Sequence, residues 1–291
     1  MNDLGPMPPT PDVGPAAKDA GRLEPISPNV WAWIGNGTPN VGVIVEDDGI
    51  TLVDTTCSPS VARALLKELQ QFNRPVRRVV YTSSHVESVG GSSVFWMAAR
   101  YGRTQTNVLL DQPVPFDAYK RLVPQFAHEY QQTDDHTSFT TRPVSHVVDA
   151  AAWLTEKVLV VPVSGQQAEN LIVMVPDADT IFAGTFAPLS TTPNAWDGNP
   201  EVWADTLTEL DAKVVVGSAG PIGAKRHLVA LAAYLYACCD AEGDARRIPD
   251  GPWDDWPLRD LDEINTERAA SLAKGENTVP QAMLKRLGLT T

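Results

Sequence analysis

The sequence predicts an α/β fold of the αββα sandwich type, in which two β-rich halves lie face to face and helices cover the outside. Two observations predict it: β-type runs and helical patterns alternate along the first half, and the second half repeats that alternation. No internal repeat of fixed period is present in the sequence. A chain of 291 residues is also long enough to bury a sizeable core.

The first half predicts, in order, a β-hairpin, a helix, a strand and a second helix. Asp48-Gly49 separates VGVIVE from ITLVD and is a typical hairpin signal. A Ser-Pro pair then precedes apolar residues at helical spacing, which indicates the start of a helix. We expect these elements over 30–56, 58–72, 76–82 and 92–102.

The second half predicts a strand, a hairpin, a helix, a buried strand and a helix that is apolar on most faces. The hairpin turn is the Pro-Asp-Ala-Asp sequence at 176–179. The expected ranges are 158–165, 170–185, 200–212, 213–223 and 224–243.

The domain organisation expected from these patterns is one folded unit with additions. We expect a flexible Pro/Gly-rich tail, the sandwich domain, an insertion or lid of broken helices within it, and a C-terminal helical extension. The corresponding residues are 1–24, 25–243, 103–143 and 244–291.

Composition excludes some classes of partner. The 23 basic and 36 acidic residues give a formal charge of −13, which argues against nucleic acid or an anionic membrane as the main partner. No apolar run approaches the ~20 residues of a membrane span, and no secretory signal pattern is present at the N-terminus. The three cysteines, Cys57, Cys238 and Cys239, form no disulfide framework. We therefore expect a cytoplasmic protein.

Four short stretches at predicted strand ends resemble signatures of the metallo-β-lactamase family. In that family they are a strand ending in Asp, the loop T-H-x-H-x-D-H-x-G-G, the run G-H-T-x-x-N followed by a hairpin and F-x-G-D, and V-V-x-G-H-G-P. The matching stretches here are 50-ITLVDTT-56, 81-YTSSHVESVGG-91, 164-SGQQAENLIVMVPDADTIFAGT-185 and 214-VVVGSAGP-221. The resemblance covers residues 25–240 and implies the αββα fold of that family.

The resemblance also implies where the family would hold its metal ions, and most of those positions are changed. His85 matches a family histidine, and Glu87 stands where the family has Asp. The remaining positions carry hydroxyl, amide or methyl side chains, namely Ser83, Ser88, Gln166, Thr185 and Ala219. A catalytic zinc needs three good protein ligands, so the sequence predicts that this chain binds no metal and no other cofactor.

The surviving polar residues form a candidate catalytic group. In the family, the Asp that matches Asp54 lies beneath the metal loop and helps to orient a ligand histidine, so the resemblance implies an Asp54–His85–Ser arrangement. His85 would act as general base, with Ser83 or Ser88 as nucleophile or water-holder and Glu87 as an alternative base. The other interpretation is that these side chains only satisfy one another where a metal would otherwise sit.

A substrate pocket is expected beside this group. Its predicted residues are Gln166, Thr185, Trp196 and Ser218, and Trp196 falls where the family often places a substrate-contacting loop. His136 and His146 are considered as lid residues that reach over the cleft.

Three functions stay open at this point. The first is a subunit without its own metal chemistry, in an oligomer with itself or with a metal-bearing paralogue of the same family. The second is a metal-independent hydrolase or lyase that acts on a small apolar or aromatic substrate through His85. The third is a small-molecule-binding protein, because a fold by itself does not determine a function.

Overall fold

The computed structural model describes residues 15–131 and 139–289, and the described residues form an αββα sandwich with two β-sheets at its centre. The predicted fold class is confirmed. Residues 1–14 of the predicted tail and His136 lie outside the described residues.

The first sheet has seven strands, and its spatial order follows the order of the chain. The first four strands are antiparallel neighbours, and the last three pairings are parallel. The strands are β1 (Gly21–Ser27), β2 (Val30–Gly35), β3 (Val41–Glu46), β4 (Gly49–Val53), β5 (Val76–Val80), β6 (Ala99–Gly102) and β7 (His146–Val147).

The second sheet has five strands in the spatial order β12-β11-β10-β9-β8. β11 and β12 are parallel, and the other pairs are antiparallel. The strands are β8 (Ala152–Trp153), β9 (Leu159–Val163), β10 (Asn170–Val175), β11 (Thr180–Gly184) and β12 (Val214–Gly217).

Eight α-helices accompany the sheets within the described residues, and short 3-10 turns link several elements. The helices are α1 (Pro59–Leu69), α2 (Val86–Val89), α3 (Thr104–Leu110), α4 (Phe116–Leu122), α5 (Pro200–Glu209), α6 (Lys225–Asp240), α7 (Asp262–Ala273) and α8 (Gln281–Arg286). Two of the starts follow from local chemistry. The Ser58 hydroxyl accepts a hydrogen bond from Val61 N at the start of α1, and Asn199 caps α5 in the same way through Val202 N.

The core lies in three layers. Apolar residues between the sheets include Ile44, Val80 and Phe182. Helix α1 packs on the outer face of the first sheet, whereas α5 and α6 cover the outer face of the second. Each helix buries one apolar face against a sheet, and each sheet has two apolar faces that must be covered. The layered arrangement satisfies both requirements.

Two expectations about element boundaries are corrected. The segment 92–102 was expected to be one helix, but it forms a 3-10 turn at Ser92–Phe95 and then strand β6, which pairs in parallel with β5. A short apolar run fits a helix and a buried strand equally well, and here tertiary pairing decides. Residues 21–24 of the predicted tail belong to β1, because they pair with β2.

The insertion contains α3 and α4, and Tyr119 of α4 packs with Tyr130 and Phe139 in a small aromatic cluster. His146 lies on the far sheet edge in β7, exposed and stacked on Tyr101, and so does not reach over the cleft. Within the described residues, no helix has the length and apolar character needed to cross a bilayer.

Candidate functional site

The candidate site lies at one edge of the sandwich, where loops from both sheets meet. The parallel strands β4 and β5 end there, as do β11 and β12, and the turn from β9 to β10 reaches the same edge. Gly184 is required at this meeting point: its φ is +50°, and a Cβ atom would collide with Thr82 and Asp54. The fold therefore brings together all four stretches that carry the family signatures.

Beneath the edge, Asp54, Thr82, Ser83 and Ser88 form a buried hydroxyl cluster. Asp54 accepts hydrogen bonds from Thr82 N at 2.8 Å and from Thr82 Oγ1 at 2.7 Å. The Ser88 hydroxyl lies 3.2 Å from Thr82 Oγ1 and 3.1 Å from Ser83 Oγ. All four residues are at most 1% exposed, so the cluster is closed to solvent.

The predicted Asp54–His85–Ser arrangement does not form. Both Asp54 carboxylate oxygens accept from Thr82, one from its backbone N–H and one from its hydroxyl. A buried backbone N–H needs such an acceptor. Ser83 Oγ accepts from the backbone N–H of His85 rather than from its ring. Burial raises the pKa of Asp54 to about 7. The hydrogen bonds from Thr82 favour the ionised form and lower the pKa, but burial outweighs them.

The imidazole of His85 instead belongs to a second group, the His85 network, made by His85, Gln166, Gln167, Asp197 and Trp196. His85 Nε2 lies 3.0 Å from Asp197 Oδ2, and His85 Nδ1 lies 3.2 Å from Gln166 Nε2. Gln167 Nε2 donates to the same Asp197 oxygen at 3.0 Å. The Trp196 ring stacks on the imidazole at a centroid distance of 6.3 Å and an interplanar angle of 19°.

The direction of the hydrogen bonds in this network is set by the backbone. Asn170 Oδ1 accepts from Gln167 N at 2.7 Å, so the Asn170 amide nitrogen must point towards Gln166 Oε1, to which it donates at 2.8 Å. Gln166 therefore turns its own NH₂ group towards His85 Nδ1, which accepts. In its neutral state the ring therefore keeps its proton on Nε2, directed at Asp197.

The charge state of His85 follows from competing effects. Burial disfavours the imidazolium, but the Asp197 carboxylate, helped by the charge of Glu87, outweighs burial and raises the pKa of His85 to about 9. A second proton on Nδ1 would face the Gln166 NH₂ group, so protonation requires that amide to rotate and to give up its bond from Asn170. In either state both ring nitrogens point at protein groups.

A cavity of about 760 Å³ opens beside the His85 network. Its walls are mainly apolar and come from the loops of both sheets, from the insertion and from the C-terminal extension. Among the predicted site residues it is lined by His85, Glu87, Gln166, Thr185, Trp196 and Ser218. Asp54, Ser83 and Ser88 do not contribute to the described lining, because they lie below it in the hydroxyl cluster.

The C-terminal extension fixes the loop that carries Trp196 and Asp197. Asn265 of α7 accepts from Ala195 N at 2.9 Å and donates to Pro193 O at 2.8 Å. Arg268 Nε donates to Gly198 O at 2.7 Å. The outer wall of the cavity is thus held by a helix that follows the sandwich in sequence.

Asp197 is the functional residue that sequence reasoning missed. It is 112 positions from His85 in the chain, and no motif connects the two. The available signal was its place directly after Trp196, in a loop already expected to contact substrate.

The geometry can be compared with known proteins. Residues 34–218 match the family model described as the metallo-beta-lactamase superfamily. The chain belongs to this superfamily. Among solved structures, VMB-1 at pH 5.5 has a TM-score of 0.59 and 17% identity, over 76% of this chain and 99% of that chain. FIM-1 from Pseudomonas aeruginosa, in its mono-zinc form, has a TM-score of 0.57 and 17% identity, over 81% and 100%.

A third example, a metallo-β-lactamase from Pontibacter korlensis, has a TM-score of 0.55 and 19% identity, over 73% of this chain and 98% of that chain. At these identities the likeness concerns the fold. This chain and those proteins share the sandwich fold, and the likeness does not extend to the residues of the site.

The donor set of this chain does not fit the metal ions of its superfamily. The Ser83 and Ser88 hydroxyls bind each other, and Gln166 turns N–H groups rather than its oxygen towards His85. Within the described residues, no group of three or more His, Cys, Asp or Glu side chains is arranged to hold an ion. The metal-binding motif is therefore degenerate, and no chemical step is assigned to a metal.

Proposed function

We propose that this chain is a superfamily member that has lost its dinuclear metal site and binds a small, largely apolar molecule in the cavity beside His85. The observation that supports it is the contrast at His85. Both ring nitrogens are occupied by Asp197 and Gln166, while the adjoining cavity of about 760 Å³ is open and mainly apolar. Cavities of this size are typical of small-molecule sites.

A hydrolase or lyase that uses His85 as general base has weaker support. A base must direct a free nitrogen at the substrate proton, and His85 would first have to break its bond to Gln166 or Asp197. The serines proposed as nucleophiles are buried in the hydroxyl cluster, so neither reaches a ligand in the cavity.

A fluorescent dye tests the binding proposal. Phenylnaphthylamine, which is neutral and apolar, should bind the purified protein saturably with increased emission. Ala118→Trp places an indole ring in the cavity from α4. It should weaken binding at least about tenfold, because the ring occupies space that the dye needs. Ala273→Trp, at the exposed end of α7, is the matched control and should bind as the wild type does. Absence of saturable binding, or equal binding by Ala118→Trp, would contradict the proposal.

A role as a subunit beside a metal-bearing paralogue has separate support. The two edge strands β7 and β8 expose Val147 by 52% and Trp153 by 57%. Open strand edges with apolar side chains are typical of docking surfaces. Native mass spectrometry of the protein purified from its own host should find a complex larger than the 31.5 kDa chain. A species at the mass of the single chain would contradict this role.

A further inference from the structure

Glu87 is an acidic residue of the cavity wall that acts on its described neighbours only through its charge. It lies in the short helix α2, half-buried, and lines the cavity together with Tyr119 and Cys57. No hydrogen bond or ion pair joins its carboxylate to another described residue. An ionised carboxylate that faces mainly apolar walls is costly unless another group compensates its charge.

The other charges around the cavity are already matched. Within the described lining, Arg286 forms an ion pair with Asp260, and His85 is the partner of Asp197. The Glu87 charge also helps to raise the pKa of His85, but one imidazolium cannot offset both Asp197 and Glu87. The described wall therefore keeps one net negative charge. The chain as a whole, with a formal charge of −13, also favours the approach of cations.

The groups beside Glu87 suit a cation and disfavour an anion. Burial and the Glu87 charge together raise the pKa of Tyr119 to about 12, so its phenol stays neutral. The same two causes raise the pKa of the Cys57 thiol, which is therefore not a thiolate at neutral pH. Tyr119 and Trp196, which both line the cavity, add aromatic rings, whose faces attract cations.

We propose that the ligand of this cavity is an organic ammonium ion with an apolar body, and that the Glu87 carboxylate binds its charged nitrogen. This proposal rests on the proposed function, since it names the chemical class of the molecule that the cavity takes. The apolar body fills the space between the insertion and the C-terminal extension, while the ammonium group lies against Glu87.

Three probes that share a naphthylmethyl group and differ in charge test the proposal: naphthylmethylammonium, naphthylmethanol and the naphthylacetate anion. Their dissociation constants are measured by titration calorimetry with the wild type, Glu87→Gln and Glu209→Gln. Glu209 is exposed at the end of α5 and serves as the matched control. Circular dichroism verifies that each variant is folded.

The ammonium probe should bind the wild type about tenfold more tightly than the alcohol, because its bond to Glu87 joins two opposite charges whereas the hydroxyl donor is uncharged. Glu87→Gln should remove this preference and leave the affinity for the alcohol unchanged, whereas Glu209→Gln should keep the preference. Equal binding of ammonium and alcohol, tighter binding of the acetate, or an unchanged preference in Glu87→Gln would overturn the proposal.

The outcomes separate the two levels of inference. If the alcohol binds and Ala118→Trp prevents its binding, the cavity is a ligand site whatever the charge preference. If none of the three probes binds the wild type, the proposed function fails and the ammonium proposal fails with it.

Discussion

The hydroxyl cluster and the His85 network lie side by side at the same edge of the sandwich, yet they differ in what they leave available. The side chains of the cluster form hydrogen bonds with one another and with Thr82. Among them, Asp54, Ser83 and Ser88 are at most 1% exposed. In the network, about a fifth of the side chains of His85 and Asp197 is exposed, and both border the cavity.

This difference separates structural from ligand-related roles among residues that look alike in sequence. A closed, satisfied polar cluster contributes to stability and to the shape of the loops. A network at a cavity wall can act on a ligand, here through the orientation of His85 and Trp196. Substitutions should therefore affect the free energy of unfolding most in the cluster and ligand binding most in the network.

The largest effect is expected for Asp54→Ala. The change leaves the buried Thr82 N–H without an acceptor and puts alanine at a φ of +68°, so the free energy of unfolding should fall by about 4 kcal/mol. Urea unfolding followed by circular dichroism measures it, with Asp250→Ala at an exposed position as control. A loss below about 1 kcal/mol would mean that the cluster contributes little.

The next effect is a pH dependence from the His85–Asp197 pair. Because the folded-state pKa of His85 is raised from 6.5 to about 9, its contribution to stability is fully present below pH 6.5 and is lost as pH rises through about 9. That contribution is about 3 kcal/mol. Urea unfolding of the wild type at about pH 6 and about pH 10 should show this loss, and Asp197→Asn should not. The same slope in both proteins would show that Asp197 does not set the pKa of His85.

A smaller effect is expected for Trp196→Ala. Loss of the stacked ring should cost about 1 kcal/mol of unfolding free energy and should weaken the ammonium probe severalfold, because one aromatic wall is gone. Val229→Ala, on α6 at a position that is 51% exposed, is the control and should change neither measurement. Equal effects of the two substitutions would contradict a role for Trp196 in the cavity.

No effect at all is expected for zinc. A ligand that binds the folded state raises the melting temperature according to its affinity, and the donor set here offers too few good ligands. Differential scanning calorimetry with about 100 μM zinc chloride should give the melting temperature of the untreated protein. A saturable increase, together with one zinc per chain by elemental analysis, would contradict the conclusion about the donor set.

Much of the architecture could be predicted from the sequence because it depends on local patterns. Hairpin turns, capped helices and apolar strands predicted the two sheets, and four stretches at strand ends located the site. The prediction of one helix over 92–102 was wrong, because the apolar spacing of this segment fits a helix and a strand equally well. Its last residues form a strand because they pair with the free edge of β5.

The contacts within the site were harder to predict than its position. Asp54 accepts from the buried backbone N–H of Thr82, which lies on a different strand end, and the partner of His85 comes from a loop 112 residues away. The cavity itself is built partly by the insertion and the C-terminal extension, which carry no recognisable motif. Sequence patterns report periodicity and turn chemistry, whereas these contacts arise from tertiary packing.

Helix α7 has a consequence for protein engineering. Residues 34–218 comprise the segment shared with the superfamily, whereas Asn265 and Arg268, which hold the loop around Trp196, lie beyond it. A chimera that transplants only the shared segment into another superfamily scaffold would carry strands β3 to β12 and the imidazole but leave that loop untethered. The loop would keep its tethers only if the transplant continued from residue 219 to residue 289, so the recombination point belongs after the C-terminal extension.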